Sequence, residues 1–215
     1  MAWDTERTKK LLLDAAIEEF AAKGPEAARV AAIATRAGVN KERIYQYFGN
    51  KEALFRAVLE CELSRLADAV PLTGESAADL GDYTARVFDY HRRNPHFLRL
   101  LAWEGLHRGE AVAAEDERTG HYARKVAAIG AAQDAGTLTG ELPAGHLMYA
   151  VIALTAGWFN LPQLVRMVAP ATAGAEPGEQ REALAGLVRR LAAPPVTDSG
   201  HPAADSGHAE GQTAT

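Results

Sequence analysis

Between Asn40 and Lys51 the chain gathers side chains suited to one kind of chemistry: Asn40, Lys41, Glu42, Arg43, Tyr45, Gln46, Tyr47 and Lys51. An Arg fork pairs bidentately with guanine and a Gln amide with adenine, each worth roughly 1–3 kcal/mol of discrimination against the wrong base. Ammonium and phenol groups donate to phosphate oxygens, which fixes position without reading sequence. Helical spacing sorts these residues onto faces. Ile44 and Phe48, with Val39 just ahead, point one way; Glu42, Arg43 and Gln46 point the other, with Tyr45 and Tyr47 on the flanks. One face pins the helix to a core and the other meets a nucleic-acid groove. Glu42 has two readings of equal standing: an acceptor for a cytosine amino group, or a charge that stabilises the helix N-terminus through the dipole.

Such a helix needs elements to hold it. Upstream, residues 8–22 place Leu13, Ala16, Ile17 and Phe20 on one stripe, the mark of an amphipathic helix. Gly24-Pro25 stops it, because glycine tolerates the left-handed stop and proline cannot continue. A short second helix over 30–37 buries Val30, Ile33, Ala34 and Ala37. Gly38 supplies the tight turn of a helix-turn-helix, and Asn40 is a favourable N-cap for the third helix. After Gly49, Asn50 caps a fourth helix reaching about Val70, with Leu54, Phe55, Val58 and Leu59 inward.

Charge agrees locally. From Ala28 to Lys51 the bases are Arg29, Arg36, Lys41, Arg43 and Lys51 against the single acid Glu42, whereas the whole chain carries a formal charge of −5. Neutralised phosphates supply most sequence-independent affinity for DNA. A basic end on an acidic body also orients the approach.

Several separated pieces now stand at matching mutual spacing: Leu13-Asp14-Ala15-Ala16, Phe20-Ala21-Ala22-Lys23-Gly24, Ile33-Ala34, Ala37-Gly38-Val39, Tyr45, Phe48 and Lys51-Glu52-Ala53-Leu54-Phe55. Across residues 8–60 the chain resembles the tetracycline-repressor (TetR) family of transcription regulators. The resemblance implies that Tyr45 and Tyr47 contact phosphate, that Lys51 anchors one, and that Lys41 contributes a phosphate or base contact. Arg43 and Gln46 are the candidates for base readout. Some positions depart from the family pattern. Arg29 stands where a Ser or Thr often caps the second helix, which weakens the cap and offers a phosphate contact instead. Ala31 stands where some members carry a base-reading arginine, so little readout is expected from the second helix. Pro25 replaces the usual aromatic after Lys23-Gly24.

The remaining segments carry helical and not alternating patterns. Ser76-Ala77-Ala78-Asp79 has the form of a capping box and opens a helix to about Arg92. Asn94-Pro95 caps the next, to about Leu106. Helices follow over about 112–135 and from Pro143 through the apolar run 147–161. Pro162 breaks the chain, and a last helix spans about 179–191 after a Gly/Ala/Pro-rich loop. The apolar run is too short, and too interrupted by Gly157 and Asn160, for a membrane span of ~20 residues. It must be buried in protein. The resemblance implies a homodimer whose last two helices form a four-helix bundle with those of the partner, with Leu154, Trp158, Leu161, Leu164, Leu184, Leu187 and Leu191 as seam residues. Two recognition helices about one DNA turn apart (~34 Å) would read a palindromic operator. The resemblance also implies a small-molecule pocket among the middle helices, with Trp103, His107, Tyr122 and Trp158 as lining candidates because they join bulk to a polar tip.

The expected architecture is therefore all-α. Residues 1–50 form a three-helix helix-turn-helix domain; residues 51–192 form a helical ligand-binding and dimerisation domain entered through the connecting helix. Residues 193–215 are poor in apolar side chains and are expected to be disordered. No phosphate loop, nucleophile elbow or zinc-protease motif supports an enzyme, and no cofactor or metal is called for. His201 and His208 in the tail lack clustered partner ligands. Cys61 stands alone, and the polar N-terminus lacks a signal peptide, so a reducing cytoplasm is the expected location. The sequence thus points to a DNA-binding regulator, a repressor released from its operator by a ligand. The alternative is a helical ligand-binding protein that has lost specific DNA binding, which Arg29 and Ala31 would favour.

Overall fold

The computed structural model describes residues 2–72, 75–106 and 112–195, with side chains from Thr5 onward. The expected tail beyond residue 195, with His201 and His208, and the pocket candidate His107 lie outside the described residues. Eleven helical segments, and no strand, are found among the described residues; nine follow the expected order, and two short ones within 162–173 fall where a break and a loop were expected. They are α1 (Ala2–Ala27), α2 (Val30–Ala37), α3 (Glu42–Phe48), α4 (Lys51–Ala69), α5 (Ala77–Arg93), α6 (Pro95–Leu106), α7 (Glu115–Asp134), α8 (Ala144–Asn160), α9 (Pro162–Val168), α10 (Pro170–Ala173) and α11 (Pro177–Ala192).

The stop expected at Gly24 is a kink inside α1. Gly24 alone leaves the helical region (φ 75°, ψ 168°), and Pro25 starts one further turn. No side chain fits here, because a Cβ on Gly24 would stand 2.9 Å from the Trp103 indole. The stripe of α1 turns slightly from its expected setting. Leu12, Ala16, Ile17 and Phe20 are buried, while Leu13 is only partly covered.

Two apolar cores result. The first joins α1, α2 and α3 to the first half of α4, with Phe20 edge-on to Phe55 at 5.1 Å. Leu100 of α6 is fully buried in it, and Leu101 and Trp103 pack against it. The first core therefore extends through Leu59 and borrows from the larger body. The second core lies between α5, α6, α7, α8 and α11. It encloses the apolar face of α8 (Leu147, Met148 and Val151), which explains why that run is so hydrophobic without spanning a membrane. Among the described residues no single helix is long and apolar enough to cross one; α8 and α9 qualify only as a pair bent by 97° at Leu161.

Two helix starts follow the expected cap chemistry, and one expected cap is exchanged. Asn50 accepts from the Ala53 N–H at 2.7 Å, and Ser76 from the Asp79 N–H at 3.2 Å. Asn94 was expected to open α6 but closes α5: its side-chain amide donates to the Tyr90 carbonyl at 2.9 Å. The same carbonyl also accepts the Asn94 backbone N–H at 2.9 Å, so backbone and side chain together close α5, while Pro95 removes one donor from the start of α6.

His91 is a core histidine. It stacks on Phe97, with ring centroids 5.7 Å apart, and its Nδ1 is buried without a hydrogen-bond partner. Burial pushes its pKa down to about 4 from 6.5, so the unfolded chain binds that proton first and stability falls with pH through this window. Urea titrations from pH 7 to pH 4.5 are expected to show His91→Leu losing less stability than the parent. The difference should approach about 1.4 kcal/mol per pH unit below 6.5.

Candidate nucleic-acid interface

Position on α3 is set by Ile44, which is fully buried, with Val39 and Phe48 packed beside it. Gly38 ends α2 in the left-handed region (φ 65°, ψ 29°), and its N–H and that of Val39 return to the Thr35 and Ala34 carbonyls. Only this αL residue reverses the chain tightly enough to set α3 across α2. α3 begins at Glu42, one residue later than the Asn40 cap implies. Asn40 Oδ1 still accepts the Glu42 N–H at 3.4 Å, a long bond, while Lys41 occupies the cap position with no side-chain bond.

With Ile44 inward, Lys41, Glu42, Arg43, Tyr45 and Gln46 are all exposed. Arg43 Nη1 donates to Gln46 Oε1 at 2.9 Å. The Gln amide is thereby oriented with its NH₂ group outward, and part of the Arg fork remains open for a second acceptor. Tyr45 is 52% exposed, a ring free to meet a backbone. Tyr47 is half-buried against the first core with Lys9 Nζ 6.0 Å from its ring.

Lys51 is engaged in a way that sequence could not disclose. Its ammonium donates to the Glu26 carbonyl at 2.7 Å and the Ala28 carbonyl at 3.3 Å, closing the α1–α2 connection. One of its three donors remains for a phosphate. Arg29 bears out the expected weak cap, with no side-chain bond at the start of α2. A residue from another helix compensates. The buried Glu19 carboxylate accepts the Arg29 backbone N–H at 3.3 Å and the Lys23 ammonium at 2.8 Å. Those bonds, the one from Lys23 foremost, hold its pKa below the usual range despite burial. This leaves the Arg29 guanidinium on the surface, beside Ala31, Thr35 and Arg36 along one open groove of α2. Arg36 is itself ion-paired with Glu18. The three-residue spacing of Ala32 and Thr35 was the available signal for this shelf.

Behind the DNA-facing end, a cavity of about 200 Å³ opens between α4, α5 and α7. Tyr122 lines it, beside Tyr83, Lys125 and Leu63, which the sequence reading did not single out. Trp103 is elsewhere, flanking shallow grooves where α6 crosses α1, and Trp158 is not among the cavity's walls. A polar tip on a bulky side chain does not say which way its helix is turned.

Two family models cover this architecture. Residues 12–58 match "Bacterial regulatory proteins, tetR family", and residues 79–190 match "Tetracyclin repressor-like, C-terminal domain". The chain belongs to the TetR family. It is 41% identical over 168 residues to the HTH-type transcriptional repressor SCO4008 of Streptomyces coelicolor, spanning 78% of this chain and 86% of that protein. Among solved structures, it is similar to the transcriptional regulator SCO4942 of the same organism, with TM-score 0.74 and 30% identity over 87% of this chain and 99% of that one. A TetR-family regulator from Marinobacter aquaeolei shares the fold at 18% identity, with TM-score 0.73 over 91% and 100% of the two chains. This TetR-family member is a DNA-binding transcription regulator.

Lys51 separates structural from electrostatic effects. Lys51→Met is expected to lower stability by about 1 kcal/mol through the lost carbonyl bonds and to weaken every DNA sequence alike. Denaturant titration and binding to matched and scrambled duplexes measure the two effects independently.

Proposed function

We propose that the protein is a homodimeric repressor that binds a palindromic operator through α3 and leaves it when a small molecule fills the cavity between α4, α5 and α7. The observation that carries this reading is the division of α3: Ile44 is fully buried while Arg43, Tyr45 and Gln46 are exposed together at one end of the molecule. In this reading Arg43 and Gln46 read bases, and Tyr45, Tyr47, Lys41, Lys51 and Arg29 hold phosphates. Glu42 tunes the choice of base or stabilises the helix start.

Dimerisation is supported by a second surface. Leu161 and Leu164 are each 45% exposed, Leu187 is 47% exposed and Leu191 36%, and Met167 and Val168 of α9 stand at 71%. These apolar side chains stand at the α8–α9 junction, on α9 and on α11, and a monomer leaves them wet. Leu184, expected on the same seam, is buried in the chain's own interior. Its turn of α11 faces α5, where Arg189 lies across Gly81. The cytoplasm, where DNA is accessible, is the proposed compartment.

The repressor named among the relatives supports the sign of regulation. Ligand release is the family's usual mode, and by linkage DNA must then weaken ligand binding by the same factor. A salt titration on the protein's own promoter region tests DNA recognition. Steep salt dependence together with a preference over bulk DNA at physiological salt supports it; salt dependence without preference favours a ligand-binding protein that has lost its operator. Arg43→Ala is expected to cost about 1–3 kcal/mol and relax discrimination at a single base pair, read from a substitution scan of the operator. Leu187→Glu is expected to give folded monomers in sedimentation velocity and to lose operator binding at nanomolar protein.

A further inference from the structure

The cavity between α4, α5 and α7 has one half-buried cationic end. Lys125 of α7 donates from Nζ to the Tyr83 hydroxyl at 2.8 Å, and the same nitrogen stands 5.0 Å from the Tyr83 ring centre. Tyr83 is 4% exposed, and burial pushes its phenol up to about 12. The partner of the ammonium is thus a neutral hydroxyl and not a phenolate. No carboxylate stands within ion-pair distance of Lys125 among the described residues. Burial also holds the lysine below its ordinary pKa, as expected of a cation lacking a counter-charge.

The other cationic walls are already satisfied. Arg118 donates to both oxygens of Glu104, at 3.1 and 2.9 Å, and to the Ala113 carbonyl at 3.3 Å. His121 Nδ1 is 2.5 Å from the Arg124 guanidinium. The acids that border the cavity, Glu60, Asp68 and Glu117, are all exposed. Water screens them, and they disfavour a second negative charge at the mouth. Leu63, Leu66 and Val87 supply apolar wall between the two ends. At about 200 Å³ the space lies below the ~300 Å³ at which drug-sized sites begin.

We propose that the cavity takes a small monoanionic amphiphile, a monocarboxylate with one ring or a short branched chain, whose carboxylate replaces the missing counter-charge on Lys125. The proposal rests on the ligand-release reading above and names its ligand class. The carboxylate would accept from Lys125 Nζ and the Tyr83 hydroxyl, and the apolar part would lie on Leu63 and Val87. Lys125 is then the residue that sets specificity. Glu60, Leu63, Ser64 and Ala67 of α4 border the same space, so the occupant bears directly on the helix that leads to the DNA-binding core.

Matched probe sets test it: benzoate, benzamide and benzylamine, and 3-methylbutanoate with its amide and amine. Each is added to full-length protein, to Lys125→Met and to Lys125→Arg, with thermal shift and operator release by fluorescence anisotropy as readouts. The acids are expected to exceed their amides about tenfold or more in the parent, the worth of a charge-assisted hydrogen bond. Lys125→Met should abolish that preference, and Lys125→Arg, which keeps the charge, should retain part of it. Equal or stronger action by amides or amines overturns the ligand class while leaving the ligand-release reading standing. An acid preference that survives in Lys125→Met overturns the role of Lys125. Silence from every probe of every head group, in binding and in release, counts against the proposal and the release reading together.

Discussion

A buried carboxylate on α4 is the constraint on which the two halves of this molecule depend. Glu62 is 1% exposed, and it accepts from Arg65 at 2.6 Å and meets His96 Nε2 at 2.7 Å. Burial alone would raise its pKa; the bonds from His96 and Arg65 outweigh that and hold it below the usual range. Arg65 reaches on to Asp14 of α1 at 3.1 Å. One charge network therefore ties α1, α4 and the first turn of α6 at the level where the first core ends and the second begins. A buried charge is tolerable only while its partners stay in place, so the three helices are held in one arrangement or must exchange it together.

This arrangement gives α4 two jobs at once. Its first half closes the DNA-binding core through Leu54, Phe55, Val58 and Leu59, and its second half walls the cavity. Glu62 lies between Glu60 and Leu63, both of which border that cavity, but it points to the opposite side of the helix. A side chain displaced in the cavity is thus within one turn of the network that positions α1. A second route runs through α6, where Leu100 is buried in the first core and Trp103 lies over Gly24. The cavity and the first core thus have two physical links, the ion network on α4 and the apolar seat of α6.

The DNA-facing end has a different economy. Its cations are partly spent on holding the fold: Lys51 on two carbonyls, Arg36 on Glu18, Lys23 on Glu19. The Arg36–Glu18 pair is exposed on both sides and contributes little stability, so Arg36 can be released at small cost, whereas Lys23 serves a buried carboxylate. Arg43 and Gln46 hold one another, which limits the conformations these exposed side chains sample.

The helical periods, the Gly38 turn, the Asn50 and Ser76 caps and the inward setting of Ile44 were all legible from residue spacing. They follow from interactions within four residues along the chain, the range over which a sequence speaks for itself. The all-α class and the exposed polar face of α3 came from the same local rules. Local rules did not reveal that Glu19 would cap α2 from another helix, that Asn94 would turn back to α5, or that Trp103 would seat α6 on Gly24. Nor did they place Lys125 on Tyr83, 42 residues away, or separate buried Leu184 from exposed Leu187 on α11. Those depend on how each helix is rotated about its axis. Rotation is settled by packing against neighbours distant in sequence, and that only the tertiary structure decided.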